Sequence, residues 1–306
     1  MSLSSIRAWI SGVEARRRDV VGINQRNVEL IYRFNDRRDY PLADDKLLAK
    51  ERFASHGVPT PETLAVCDGL FAIRGVVDRL SAYESFAIKP ANGGGGEGIL
   101  VLGERVRAGP GEVAWRRAGG AVVNAADLER HFADIVFGTY SNQLEDRAFV
   151  ERRIVPHSFF TELWSDGLCD VRVITLESRP VMSMVRVPTH RSLGRANLHQ
   201  GGIGLAVELG TGRTFRAVSM GKTLTHHPES GAALLGLDVP SFGEVLAVAG
   251  RAADAVPLKY LGVDVVVDRD RGPLILEINA RPGLEIQNVN GVGLGPSVRR
   301  ALGDLG

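Results

Sequence analysis

The sequence predicts an α+β fold in which antiparallel hairpins alternate with amphipathic helices. Three observations predict it. Residues 261–285, LGVDVVVDRDRGPLILEINARPGLE, read as two strands joined by a turn. Residues 84–103, ESFAIKPANGGGGEGILVLG, read as strand, glycine loop and strand. Segments 46–56, 125–136 and 242–255 carry apolar residues at helical spacing.

From the N-terminus, Ser4-Ser5 caps a helix that shows Ile6, Trp9, Ile10 and Val13 on one side. The run Arg16, Arg17, Arg18 reads as its solvated face. Segment 27–34 is helical in pattern. Asp44-Asp45 caps the next helix, with Leu47, Leu48 and Phe53 inward, and Gly57, Pro59 and Pro61 stop it. Phe86, Ile88 and Lys89 belong to a strand that Pro90 ends. Residues 92–98 then hold five glycines in seven positions, followed by a strand over 99–102. Without Cβ atoms, the N–H groups of Gly93, Gly94, Gly95, Gly96 and Gly98 can point at phosphate oxygens, and Lys89 supplies a point charge. An open surface hairpin is the other reading. The loop lacks the G-x-x-x-x-G-K-[ST] spacing of a Walker A motif.

Residues 109–120, rich in Gly, Pro and Arg, read as loop. Segment 148–154, AFVERRI, reads as a strand. Residues 170–176 and 180–187 read as paired strands, on which Arg172 and Arg186 can face one cavity. RANLHQGG at 195–202 is a loop, 207–217 another hairpin, and 288–295 a glycine-rich stretch before a short terminal helix.

In the hairpin at 261–285, Val263, Val265 and Val267 alternate with Asp264, Val266 and Asp268, the pattern of a half-buried strand. Asp270 to Pro273 is turn chemistry, with Pro273 ending the ladder. On the second strand Glu277 and Asn279 share a face, and hairpin pairing brings Asp264 near them. Two carboxylates and an amide oxygen are hard donors suited to Mg²⁺ or Mn²⁺, with phosphate oxygens or water completing the shell. Solvated polar positions on an exposed hairpin are the alternative.

The 306 residues fit about two domains. With 44% hydrophobic and 24% charged residues, the composition is that of a globular protein with an ample core. A net charge of +1 gives no overall pull toward nucleic acid or membrane surfaces. No apolar run approaches a membrane span, so membrane insertion is not expected. Cys67 and Cys169 stand alone, outside any metal spacing, as buried thiols in a reducing cytoplasm would. The 36 glycines exceed the usual share of about 7%, which points to close backbone approach to a ligand.

GVDVVVD…GPLILEINARPGLE, the glycine loop behind Lys89, DDKLLAKERFASHGVPTPET and AFVERRI occur in an order that resembles the ATP-grasp superfamily. The sequence is most similar to the alpha-L-glutamate ligase-like proteins related to RimK, over about residues 42 to 290. The resemblance implies two α+β lobes clasping ATP, residues 45–154 and 155–306, after a short helical segment, 1–44. That segment stands where the family usually carries a pre-ATP-grasp domain. It implies that Lys46 and Lys89 reach the ATP phosphates, and that Asp264, Glu277 and Asn279 hold the magnesium ions. It implies further that the strand at 148–154 is a hinge, where Glu151 contacts the nucleoside and the backbone around Arg152 and Ile154 meets adenine. Arg172, and Arg186 beside it, would bind phosphate or acyl phosphate. Asn197, with His199 nearby, would lie near the γ-phosphate.

The activity implied is ATP-dependent ligation of a carboxylate to an amine through an acyl phosphate, with an amino acid, peptide or protein tail as partner. A homo-oligomer is compatible with it. Two other readings remain at this point: a kinase on the same fold, and a non-catalytic ATP-binding partner of a membrane or sugar-transfer system.

Overall fold

The computed structural model describes residues 19–109, 112–117 and 119–303. The helix expected at Ser4 and the Arg16–Arg18 run lie outside them. The chain divides into two compact units. One comprises Asp44–Glu51 and Thr60–Val155; the other comprises Met1–Ala43, Arg52–Pro59 and Pro156–Gly306.

The first unit is a six-stranded antiparallel sheet. Its strands are β1 (Thr63–Cys67), β2 (Phe86–Pro90), β3 (Leu100–Gly109), β4 (Glu112–Arg117), β5 (Val122–Asn124) and β6 (Ala148–Arg152), in the order β1-β6-β2-β3-β4-β5. Helices Ile73–Leu80 and Ala125–Val136 bury Val76, Leu80, Leu128, Phe132 and Ile135 among Phe86, Ile88, Leu102 and Trp115. A capping box at Asn124 and Asp127 starts the second helix. The expected loop at 109–120 is largely strand. Trp115 is fully buried, packs edge-on against Phe86 at 5.2 Å and donates to the Tyr83 carbonyl. That anchor overrides the loop-like composition around it.

The second unit is built on a seven-stranded antiparallel sheet. Its strands are β7 (Asp170–Leu176), β8 (Arg179–Val187), β9 (Ile203–Val207), β10 (Thr214–Ser219), β11 (Lys222–Leu224), β12 (Tyr260–Asp268) and β13 (Gly272–Asn279), in the order β11-β10-β9-β8-β7-β12-β13. Helix α1 (Phe242–Asp254) packs its apolar stripe on β7, β8, β12 and β13. The 261–285 hairpin forms as expected, with two differences. β12 is buried along its whole length rather than on one face: helix α1 packs on the sheet, and the side chains of Arg172 and Arg186 lie over Asp264. Pro273 sits inside the ladder, opposite Val267. β13 is an edge strand, where a missing N–H costs no pairing. The hairpin expected at 207–217 forms, with its first strand, β9, beginning earlier at Ile203 and its second, β10, running on to Ser219. Residues 288–290, expected as glycine-rich loop, close the helix Glu285–Asn290.

Segment 23–34 is helical, with a π-type stretch at Arg26–Ile31. Buried Asn35 fastens it to β12 and the end of β13. Its amide nitrogen donates to the carbonyls of Tyr260 (2.7 Å) and Ala280 (2.8 Å), and its oxygen accepts from the N–H groups of Lys259 and Tyr260.

Candidate active site

In the first unit, strand alternation puts Lys89 and Glu151 on the sheet face opposite the Phe86–Ile88 core, beside the start of helix α2 (Lys46–Ser55). Asp45 caps that helix by accepting from the N–H groups of Leu47 and Leu48. Lys46 therefore faces the glycine loop, and its ammonium donates to the carbonyl of Gly93. Lys50, one turn on, meets Glu151 at 2.5 Å, and Lys89 meets the other oxygen of the same carboxylate at 2.5 Å. Burial disfavours the ionised Glu151, but Lys89 and Lys50 outweigh it and hold the carboxyl below its usual range. Burial pulls the Lys50 ammonium down, with Glu151 opposing.

The glycine loop is pinned at both ends. Asp146 accepts from the backbone and side-chain N–H groups of Asn92. At the far end His131 Nε2 donates to the Gly98 carbonyl at 3.0 Å, and Gly98 (φ +71°) lies against the Tyr140 ring. Gly94 and Gly95 between them have open space where a Cβ would be. Arg152 alternates away from Glu151, is exposed, and pairs with Glu62 at 2.7 Å, so its side chain does not join Lys89. Ile154 is half-buried beyond the end of β6.

In the second unit, pairing places Arg172, Asp264 and Glu277 directly across β7, β12 and β13. Asn279, opposite Gly262, continues the row, and Arg186 faces Asp170 at its other end. A bulge between Asp264 and Val265 resets the register of β13, which brings Glu277 and Asn279 onto this face. Arg172 forks onto both oxygens of Asp264. Arg186 forks onto Asp170 at 2.6 and 2.7 Å and also reaches Asp264 at 2.8 Å. Burial works against the Asp264 charge, yet the guanidiniums of Arg172 and Arg186 hold its carboxyl below the ordinary range. Burial pushes Asp170 up to about 6 against the pull of Arg186, with Asp264 adding to the rise. Gly262 is required at its place in the row, because a Cβ there would lie 2.9 Å from Pro282 and 3.3 Å from Arg172.

Among the described residues, no group of three or more His, Cys, Asp or Glu gathers as a metal site. The donor chemistry nevertheless fits a hard cation. Glu277 and Asn279 are half-exposed on one face, which puts a carboxylate and an amide oxygen there as hard donors. Asp264, already shared by two guanidiniums, is the most restricted donor. Among the described residues, Arg186 is shared by Asp170 and Asp264, and Arg172 adds a second guanidinium to Asp264. Asn197 lies in the β8–β9 loop, where its side chain accepts from the His199 N–H and caps the turn Leu198–Gln200. His199 is exposed. Lys50 and Asp170 were not singled out from the sequence. The i, i+4 spacing of Lys46 and Lys50 was the signal for the first; the second needed the sheet register.

Cys67 and Cys169 are free, buried thiols. Among the described residues, no helix is long and apolar enough to cross a membrane.

Solved structures with this fold include biotin carboxylase from Campylobacter jejuni, at 17% identity and TM-score 0.52, covering 84% of this chain and 46% of that one. The ATP-grasp ligase PsnB, solved with a precursor variant, Mg and ADP, is 17% identical with TM-score 0.46 over 89% and 61% of the two chains. A RimK domain ATP-grasp protein from Sphaerobacter thermophilus is 16% identical with TM-score 0.45 over 87% and 70%. This chain thus spans less than two thirds of biotin carboxylase and of PsnB. At these identities the likeness is one of fold, and biotin carboxylase carries it. No curated protein matches the chain. The sequence profile of the sugar-transfer associated ATP-grasp proteins matches residues 25–301. That match extends over most of the chain, and the protein belongs to the sugar-transfer associated ATP-grasp family.

Proposed function

We propose that the protein is an ATP-dependent carboxylate–amine ligase that releases ADP and phosphate. The observation that carries this reading is the cross-strand row Arg172–Asp264–Glu277 with Arg186 and Asn279 beside it, in a chain of the ATP-grasp family. Lys46, Lys89 and the N–H groups of the 93–98 loop take the nucleotide phosphates. Glu151 serves the nucleotide through Lys89, which it orients, and the backbone at 152–154 meets the adenine. Asp264, Glu277 and Asn279 hold Mg²⁺, which neutralises charge on the β and γ phosphates when bound.

In the reaction a substrate carboxylate attacks the γ-phosphorus, the bond to the β-γ bridging oxygen breaks, and ADP leaves. An amine then adds to the acyl phosphate, loses a proton and displaces phosphate, leaving an amide. Arg172 and Arg186 bind the anionic oxygens that develop. The test is ADP release from Mg-ATP across a panel of amino acids and small acids. It should require both an acid and an amine, and fall at least 100-fold in Lys89→Ala, Asp264→Ala and Glu277→Ala. Wild-type rates in all three variants sink the reading. ADP release that needs a hydroxyl compound and no amine makes the protein a kinase.

A further inference from the structure

Lys50 is a buried cation with no role in the proposed reaction. It comes from helix α2, one turn beyond Lys46, and its side chain is 13% exposed. Three groups hold its ammonium. It donates to Glu151 Oε1 at 2.5 Å and to the Pro61 carbonyl at 2.5 Å, and it lies over the Phe149 ring at 5.8 Å. Lys89, on β2, is anchored less. Among the described residues its one partner is Glu151 Oε2, at 2.5 Å. An anion arriving at this face would therefore draw Lys89 away from Glu151 and leave Lys50 where it is.

That exchange has an electrostatic cost. Glu151 is 3% exposed, so without a cation beside it the carboxylate would be buried and uncompensated. A buried charge that has lost its partner is strongly destabilising. The charged groups facing Glu151 among the described residues are Lys89 from β2 and Lys50 from α2, while its β1 neighbour Thr63 is uncharged. Lys50 is thus the cation that can stay on the carboxylate while Lys89 is engaged elsewhere. Burial alone would raise Glu151, and the two lysines hold it down.

We propose that Lys50 is a positioning residue for nucleotide binding: it secures Glu151 so that Lys89 can turn from that carboxylate to the nucleotide phosphates. The inference rests on the ATP-binding part of the ligase reading and is independent of the bond formed afterwards. Lys50 itself touches no phosphate. It removes the penalty that Lys89 would otherwise meet on leaving Glu151.

Calorimetry on the full chain with Mg-AMPPNP tests it. Lys50→Met removes the charge and keeps the length of the stem. Lys50→Gln, which retains a donor for the Pro61 carbonyl, takes its place if the first variant does not fold. Affinity should fall about ten-fold at pH 7.5, because Lys89 can then leave Glu151 only if the stranded carboxylate takes up a proton. The loss relative to wild type should shrink at pH 6, where that proton is more available. Binding should also take up more protons than in the wild type, read from titrations in buffers of different ionisation enthalpy. In a Glu151→Gln background the same substitution should change affinity by less than about two-fold, since no carboxylate remains to be secured. A loss of equal size at both pH values overturns the proposal, and so does unchanged affinity. A loss undiminished in the Glu151→Gln background also overturns it and makes Lys50 a direct phosphate contact. These outcomes leave nucleotide binding, and the ligase reading, in place. No binding of Mg-AMPPNP to the wild type removes the ATP reading and this proposal together. Binding and the Lys50 effect without amide formation remove the ligase reading alone.

Discussion

Lys89 Nζ lies 2.5 Å from Glu151 Oε2, and the second oxygen of that buried carboxylate holds Lys50. One negative charge thus balances two positive ones, and an ammonium is left in excess on the face that meets the glycine loop. Removing the carboxylate leaves two desolvated cations side by side. We expect Glu151→Gln to lower stability by about 3 kcal/mol in urea unfolding, the cost typical of breaking a buried ion pair from one side. ATP affinity should fall with it, because Lys89 loses its tether.

The same triad sets an acid limit. Glu151 is held below its ordinary range, so its contribution is complete above the unfolded-state value, near 4.5. It is lost as the pH falls through the lower native value. Unfolding free energy measured between pH 7 and pH 3 should therefore drop in acid more steeply for the wild type than for Glu151→Gln.

Two glycines of the loop should respond differently. A Cβ at Gly98 would lie 2.6 Å from the Tyr140 ring, at a φ of +71°. Gly98→Ala should cost about 1–2 kcal/mol from the backbone conformation alone, with the clash added, and appear as a lower Tm. Gly94 has open space around it. Gly94→Ala should leave Tm within a degree or two and weaken ATP binding, because a Cβ there would hold phosphate away from the backbone.

Arg172→Lys keeps the charge and removes the fork onto Asp264. ADP release should fall at least ten-fold, because an ammonium cannot occupy both carboxylate oxygens in the guanidinium plane. Arg172→Ala should in addition destabilise the fold by about 3 kcal/mol.

Cation binding should depend on nucleotide. Asp264 is already neutralised by Arg172 and Arg186. Mn²⁺ titrated alone, followed by electron paramagnetic resonance, should bind weakly, and at least ten-fold tighter with a non-hydrolysable ATP analogue. Stripping the metal with EDTA should weaken the analogue correspondingly.

The local signals of this fold were legible in the sequence. Glycine punctuation marked the 92–98 loop, and period-two alternation with a turn marked the 261–285 hairpin. What escaped depended on partners distant in the chain. Whether β12 is buried on one face or two depends on β7, some ninety residues away, as the Asp264–Arg172 pairing makes plain. Pro273 looked like a terminator because its edge position is a property of the sheet. Trp115 was hidden among arginines and glycines, whose composition outweighed its single large anchor. The charged site divided the same way. Glu277 and Asn279 share a face by alternation alone, whereas Asp170 and Lys50 acquire meaning only from Arg186 and Glu151. A cavity lined by Arg26, Arg37 and Arg281 joins positions more than 240 residues apart and has no local signature.

Asn35 couples those distant positions. A single buried amide bridges the carbonyls of Tyr260 and Ala280, so the wall contributed by residues 26–40 cannot detach without exposing polar groups at the root of β12 and the tip of β13. Solvent exchange at the Tyr260 amide, which Asn35 shields, therefore doubles as a reporter of that wall: any loosening of it should speed the exchange of an amide buried in β12.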